Sequence, residues 1–224
     1  MNLFLRILGY KIDESFYKML NKQHIVLFPH TSLFEGFLLL LYLPFERKMI
    51  KDNISFFVVD RFMGYPIIGN ILKNLGGITV NNGEGMVSST IKFLNENKNK
   101  TFFISPEGSL KRAEWKSGFF HIARETGIPI IIGGIDFYSH TIKFNIEYPI
   151  YIKKDDKYED RVDEIKELFA NSQIYPLYQE ESNPIININC DEKSSFLPFN
   201  RYVYFVFFIF YSIKVYGEYG GYRF

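Results

Sequence analysis

An open α/β sheet flanked by helices is the fold that this 224-residue sequence predicts, on three observations. Short runs of β-branched and aromatic residues alternate with longer segments of helical periodicity, as strands and helices taken in turn should. Proline and glycine fall where such elements start and stop. Two polar clusters, beginning at Pro29 and at Ser105, follow directly on apolar runs. In open α/β sheets ligands bind beyond the carboxyl ends of strands, so both clusters should share one rim.

The elements follow in order. Residues 24–29, His24-Ile25-Val26-Leu27-Phe28-Pro29, read as a buried strand. The apolar stretch 37–43, closed by Pro44, suits a helix lying on the sheet or against lipid. Residues 55–59 predict a second strand. A helix over 66–75 follows, with Pro66 in the first turn, where its missing N–H costs nothing, and Gly76-Gly77 as the stop. Residues 78–80 form a short strand and 85–97 a helix with a polar face. Residues 101–104 are the next strand, 117–126 a helix ended by Gly127, and 128–135 a buried strand. Alternation marks 141–148 as a strand, and mixed charge marks 158–171 as an amphipathic helix. The α/β domain is thus expected over residues 1–175. Residues 176–200 are polar and turn-rich and read as a linker, and 201–224 as an aromatic tail.

Composition excludes several classes of protein. With 47% apolar and 23% charged residues the chain is not intrinsically disordered. A chain of this size buries roughly 70% of its unfolded surface, so no metal or disulfide staple is required. Net charge +1 argues against a nucleic-acid partner, whose affinity comes from many phosphate contacts. The single Cys190 cannot form an intrachain disulfide, which favours a reducing, cytoplasmic compartment. No secretory signal is expected, because the N-terminal apolar run breaks at Arg6 and lacks a small-residue cleavage pattern. No run of 18 apolar residues occurs, so a conventional spanning helix is not expected either. Residues 3–8, with Arg6 and Lys11, have the make-up of an interfacial helix. The aromatic run 203–211, flanked by Arg201 and Lys214, suits a headgroup boundary, or else completes the core. Peripheral or monotopic attachment to a membrane surface is the expectation.

Of the two polar clusters, Pro29-His30-Thr31-Ser32-Leu33-Phe34-Glu35 offers a general base, since a histidine titrates near neutrality. If a helix begins after His30, Glu35 can fold back onto one imidazole nitrogen and leave the other to accept a proton. On spacing alone, His30 as a helix cap or a half-buried structural histidine remains open. No G-x-S-x-G elbow activates Ser32, Ser105 or Ser109 as a nucleophile. His24, His30, His121 and His140 are scattered without metal-ligand spacing, and no phosphate-binding glycine loop occurs, so no metal or resident cofactor is expected.

Several ordered motifs resemble the glycerolipid acyltransferases. They are Pro29-His30-Thr31-Ser32 with Glu35, Phe103-Ile104-Ser105-Pro106-Glu107-Gly108-Ser109, and Trp115-Lys116-Ser117-Gly118-Phe119-Phe120. The likeness runs from Leu8 through Gly76-Gly77-Ile78 and Gly127-Ile128-Pro129 to Asp136, and is nearest to the short bacterial 1-acyl-glycerol-3-phosphate acyltransferases, whose first motif reads P-H-T-S-x-W-D. It implies an acyltransferase fold with its catalytic motifs at strand carboxyl ends. It also implies a direct transfer in which His30, held by Glu35, deprotonates an acceptor hydroxyl that attacks an acyl-CoA or acyl-carrier-protein thioester. The donor is then a substrate, and the partners are a lipid acceptor, a membrane surface and an acyl-carrier protein where that is the donor. The implied substrate-binding residues are Thr31, Ser32, Glu107, Gly108, Ser109 and Lys116, joined by Arg61, Lys111 and Arg112 as replacement cations.

Three departures from the family pattern bear on the acceptor. Glu35 stands where most members have Asp. Asn81-Asn82 stands where many have Asp-Arg, and Ser109-Leu110 where many read Thr-Arg after Glu-Gly. A bidentate arginine grip on phosphate is not reproduced by a lysine elsewhere. The alternative expectation is therefore a catalytically weak or inactive lipid-binding protein that keeps the fold. Thioester hydrolysis ranks third.

Overall fold

The computed structural model describes residues 9–28, 47–58, 63–79, 85–107, 115–136, 138–172 and 174. In chain order these form β1 (Lys11–Ile12), α1 (Glu14–Met19), β2 (Ile25–Leu27), α2 (Arg47–Asn53), β3 (Ile54–Phe57), α3 (Pro66–Asn74), β4 (Gly77–Ile78), α4 (Met86–Glu96), β5 (Thr101–Ile104), α5 (Gly118–Thr126), β6 (Ile130–Asp136), β7 (Thr141–Ile150) and α6 (Tyr158–Asn171). The strands make one sheet in the order β1-β7-β6-β2-β5-β3-β4. Pairing is parallel throughout except between β6 and β7, which form an antiparallel hairpin.

Helices cover both faces. On one, Leu94 of α4, Phe119, Phe120 and Ile122 of α5, and Ile165 and Phe169 of α6 pack against Ile25, Leu27, Phe102, Ile130 and Ile132. On the other, Phe16 and Met19 of α1, Ile50 of α2 and Leu75 pack against Val26, Phe28, Ile131, Ile135, Ile142 and Phe144. Successive strand residues point to opposite faces, so a strand covered twice must be apolar at every position. β2 meets this requirement, with Ile25, Val26 and Leu27 all at 0% exposure.

Local chemistry sets the element ends. The Asp13 carboxylate accepts the Ser15 N–H at 2.8 Å and caps α1. Pro66 opens α3, and Gly127, at φ +70°, closes α5 by donating its N–H to the Ala123 carbonyl at 2.8 Å. Gly76, at φ +87°, turns the chain from α3 into β4 against the Ile54 carbonyl.

The predicted strands and helices are present wherever they fall in the described residues, with differences that have physical causes. Lys11 lies in β1, paired with Thr141, and not in an interfacial helix; an open edge on β7 gives its backbone partners. The remainder of that expected helix, residues 3–8, lies outside the described residues, as do the apolar stretch 37–43, the linker 176–200 and the tail 201–224. β3 begins one residue early, and Val58 extends its pairing by donating to the Ile78 carbonyl at 2.9 Å. β7 runs past Pro149 to Ile150, which a proline permits because β1 pairs only with the far end of that strand. Trp115 is core, stacked edge-on against Phe119 and Phe169.

At Gly76 an alanine would place its Cβ on the Ile54 carbonyl oxygen and hold a left-handed φ. The left-handed conformation alone costs about 1–2 kcal/mol. Gly76→Ala should therefore lose more than about 1 kcal/mol in urea unfolding. Gly118→Ala, whose Cβ would meet only Val87 at 3.5 Å, should lose nothing.

Candidate active site

Two adjacent strands end together. β2 and β5 pair with Ile25 opposite Phe102, Val26 opposite Phe103 and Leu27 opposite Ile104. Beyond the strands, the Phe28 N–H donates to the Ile104 carbonyl at 3.0 Å. From β2 the chain proceeds across the sheet toward β3, whereas from β5 it proceeds the opposite way, past β2, to β6. Crossovers in opposite directions put their helices on opposite faces, as α2 and α5 are found. The carboxyl ends of β2 and β5 therefore flank a topological switch point, where an open α/β sheet leaves a crevice for ligand.

Both exits are held rigidly. Phe28, Phe103 and Phe144 form a triangle of rings with centroids 5.9 to 6.4 Å apart, just beneath the rim. Each such aromatic pair adds about 0.5–1.5 kcal/mol beyond the area it buries. After β5, the Ser105 hydroxyl donates to Glu107 Oε2 at 2.9 Å and orients that carboxylate. The Lys116 N–H donates to the Pro106 carbonyl at 2.9 Å and clasps the segment leaving β5 to the one entering α5.

Of the residues expected to carry chemistry, Glu107 and Lys116 are described. Glu107 is half-buried at the end of β5, and Lys116 is exposed, contributing to the fold through its backbone. His30, Thr31, Ser32, Glu35, Arg61, Gly108, Ser109, Lys111 and Arg112 lie outside the described residues. Of the other histidines, His24 sits at the opposite end of β2 from the rim. Burial lowers its imidazole below its ordinary value, and its ring donates from Nδ1 to the Met19 carbonyl at 3.1 Å. Among the described residues no group of three His, Cys, Asp or Glu is arranged to hold a metal ion.

Sequence reasoning missed a third polar cluster on the same rim, at the end of β6. Asp136 is buried, at 1% exposure, and accepts the Tyr138 N–H at 3.0 Å, the Ser139 N–H at 3.3 Å, the Ser139 hydroxyl and the Lys143 ammonium at 2.7 Å. Tyr10 stacks on His140 at 4.9 Å, and His140 takes φ +50° so that its carbonyl receives the Lys11 N–H at 2.8 Å. Burial, helped by the Asp136 charge, pushes the Tyr10 hydroxyl well above its usual range. A signal was present in the sequence: a carboxylate ending the apolar run Ile130-Ile131-Ile132-Gly133-Gly134-Ile135 must find partners.

An open cavity of about 350 Å³ lies between α5 and the start of α6, lined among others by Trp115, His121, Arg124, Asp156 and Tyr158. Two of its charges are engaged, with Arg124 over the Phe120 ring at 5.9 Å and Asp156 near Arg161 at 3.8 Å.

Fold and rim define an α/β protein whose motif-bearing strands β2 and β5 end side by side. The acyltransferase family model matches residues 10–132, more than half of the chain and the span that holds both strand ends and the polar clusters at Pro29 and Ser105. The chain belongs to the acyltransferase family, and its chemistry is acyl transfer. No curated protein matches the chain.

Burial alone would raise the Asp136 carboxyl, but the hydrogen bonds from Lys143 and Ser139 outweigh it and hold the group below the usual carboxylate range. The unfolded chain then takes up this proton at a higher pH than the folded one. The stabilisation is complete above about pH 4 and is lost as pH falls through the folded value. Urea-unfolding free energy should accordingly decline below about pH 4, and Asp136→Asn should flatten that decline. The variant should lose about 1–3 kcal/mol at pH 7, the typical size of a buried hydrogen bond to a charged group.

Proposed function

We propose that the protein transfers a fatty acyl group from acyl-CoA or acyl-carrier protein to the hydroxyl of a lysophospholipid such as 1-acyl-glycerol-3-phosphate. The observation that carries this reading is the in-register ending of β2 and β5, because the motif with His30 continues from one and the motif with Glu107 from the other. Membership of the acyltransferase family supports the reaction type, and the Pro29-His30-Thr31-Ser32 and Glu107-Gly108-Ser109 motifs support the glycerolipid branch.

In this mechanism His30 is the general base, with its tautomer fixed by Glu35. The acceptor O–H proton passes to the imidazole as the oxygen attacks the thioester carbonyl carbon. The C–S bond breaks, and the departing thiolate takes the proton back from the imidazolium. No covalent acyl-enzyme forms and no resident cofactor takes part. Backbone N–H groups following His30 stabilise the oxyanion, a term worth about 3–4 kcal/mol per donor in acyl-transfer enzymes. Glu107, Gly108 and Ser109 hold the glycerol-phosphate end with Thr31, Ser32, Arg61, Lys111, Arg112 and Lys116. A lipid acceptor places the enzyme at a bilayer surface, with residues 3–8 and the aromatic run 203–211 as peripheral or monotopic contacts. Among the described residues no helix is long and apolar enough to cross a membrane.

Thiol release from a set of acyl-CoAs, with and without lysophosphatidate micelles, tests the assignment. Wild type should release thiol only with the lipid, and His30→Ala should lose at least about 100-fold, the lower end of what a general base supplies. Turnover that persists in His30→Ala would remove His30 as base. Release that needs His30 but not the lipid would make the protein a thioesterase. Lipid binding without turnover would favour the inactive lipid-binding reading that Glu35, in place of aspartate, motivates.

A further inference from the structure

Resting on the transferase reading above, we infer that Ser105 is a positioning residue, whose hydroxyl sets the Glu107 carboxylate for the acceptor. The Ser105 hydroxyl donates to Glu107 Oε2 at 2.9 Å, and among the described residues Glu107 has no other side-chain partner. The direction of this bond follows from β5. Phe102 and Ile104 pack on the α5 face and Phe103 on the α1 face, so side chains alternate to the end of the strand. Ser105 precedes a proline, which keeps its backbone extended, and the alternation carries its side chain to the face of Phe103. The backbone turns the other way: the Pro106 carbonyl accepts the Lys116 N–H at 2.9 Å, at the entry to α5. The hydroxyl therefore draws the carboxylate back from the α5 side toward the α1 and α2 face. The chain that leaves β2 with the His30 motif returns through α2, whose Ile50 packs on that same face.

The bond matters more for binding than for folding. Glu107 is half-buried, and water would satisfy its carboxylate if Ser105 did not. A glutamate without a partner samples many rotamers, however, and ordering them when a ligand arrives weakens affinity. The backbone leaves little else to order, since Pro106 has a fixed φ and its carbonyl is clasped by Lys116. The side-chain torsions of Glu107 are thus the remaining freedom, and Ser105 restricts them before substrate binds. One bond to Oε2 leaves Oε1 to accept from a glycerol hydroxyl, since an ionised carboxylate accepts through both oxygens. Ser105 acts on the acceptor through Glu107 and does not itself touch the reacting atoms.

The test compares full-length wild type with Ser105→Ala, Ser105→Val and Ser105→Thr in detergent micelles, with thermal unfolding to verify the fold. Valine and threonine share a shape and differ in the hydroxyl, so this pair separates the bond from the space the side chain fills. Ser105→Ala and Ser105→Val should raise KM for 1-acyl-glycerol-3-phosphate about fivefold, the size of one side chain ordered on binding. They should leave kcat and KM for acyl-CoA within about twofold of wild type, and Ser105→Thr should leave all three within that range. Calorimetric binding of a short-chain form of the same lipid to Glu107→Ala, with and without Ser105→Ala, completes a double-mutant cycle in which the second change should add nothing. An unmoved acceptor KM, equal shifts for acceptor and acyl-CoA, or a full effect of Ser105→Ala in the Glu107→Ala background would overturn the inference. So would complete loss of turnover in Ser105→Ala, which would mark the serine as a nucleophile. Wild type that acylates no lipid overturns the transferase reading and this inference with it, whereas an active wild type with an indifferent Ser105→Ala overturns this inference alone.

Discussion

The pairing of β2 on both edges is the constraint on which the rest of the molecule depends. Three residues, Ile25, Val26 and Leu27, bond to β5 on one side and to β6 on the other, partners that begin at Thr101 and Ile130. Parallel neighbours cannot be joined by tight turns, so each must return through a crossover. Placing β5 and β6 on opposite edges of β2 forces crossovers in both directions and hence helices on both faces. The all-apolar composition of β2 follows, and so does the rim, because strands in parallel register deliver their following segments to the same end.

Much of this was legible because several elements state their own limits. β5 and α6 match their predicted spans to the residue: Thr101–Ile104 is a bare apolar run between polar residues, and Tyr158–Asn171 carries a helical apolar stripe among charges. Elements that exist through tertiary contact alone were not legible. β1 is two residues long and has no periodicity of its own; it forms because β7 presents an unpaired edge. α2, Arg47-Lys48-Met49-Ile50-Lys51-Asp52-Asn53, is mostly polar and keeps its place through Ile50, buried at 1% exposure. Strand order was hidden for the same reason, since it depends on long-range pairing that no window of sequence contains.

The candidate site divides along the same line. The clusters at Pro29 and Ser105 could be found because each follows its strand directly, and the Ser105 to Glu107 contact spans only two residues. The Asp136–Lys143 pair needed the register of the β6–β7 hairpin, which sets Gly134 against Lys143 and Asp136 against Thr141. Seven residues apart in sequence, the two have no recognisable spacing until the strands fold back on one another. A buried carboxylate closing an apolar strand is nonetheless a physical demand for partners, and the run from Ile130 to Asp136 carries that demand in its residue types alone.

In the direct transfer between two bound substrates that we propose, positional tolerance is the governing quantity, since a misplacement of about 1 Å can cost on the order of 100-fold in rate. The fold meets this by assigning rigidity and chemistry to different parts of the chain. Phe28 is fixed by the ring triangle with Phe103 and Phe144, and the segment after β5 is clasped by the Lys116 to Pro106 hydrogen bond. Reactive groups then need to be correct only over the few residues beyond these anchors. On the third strand the anchor is a polar cluster: Asp136, immobilised by its own hairpin, also restrains the long cationic side chain of Lys143. Hydrophobic contact fixes β2, a backbone clasp fixes the exit from β5, and hydrogen bonds to a buried carboxylate fix the end of β6. Each uses the interaction available at its depth, because apolar rings need burial whereas a buried carboxylate needs hydrogen-bond donors.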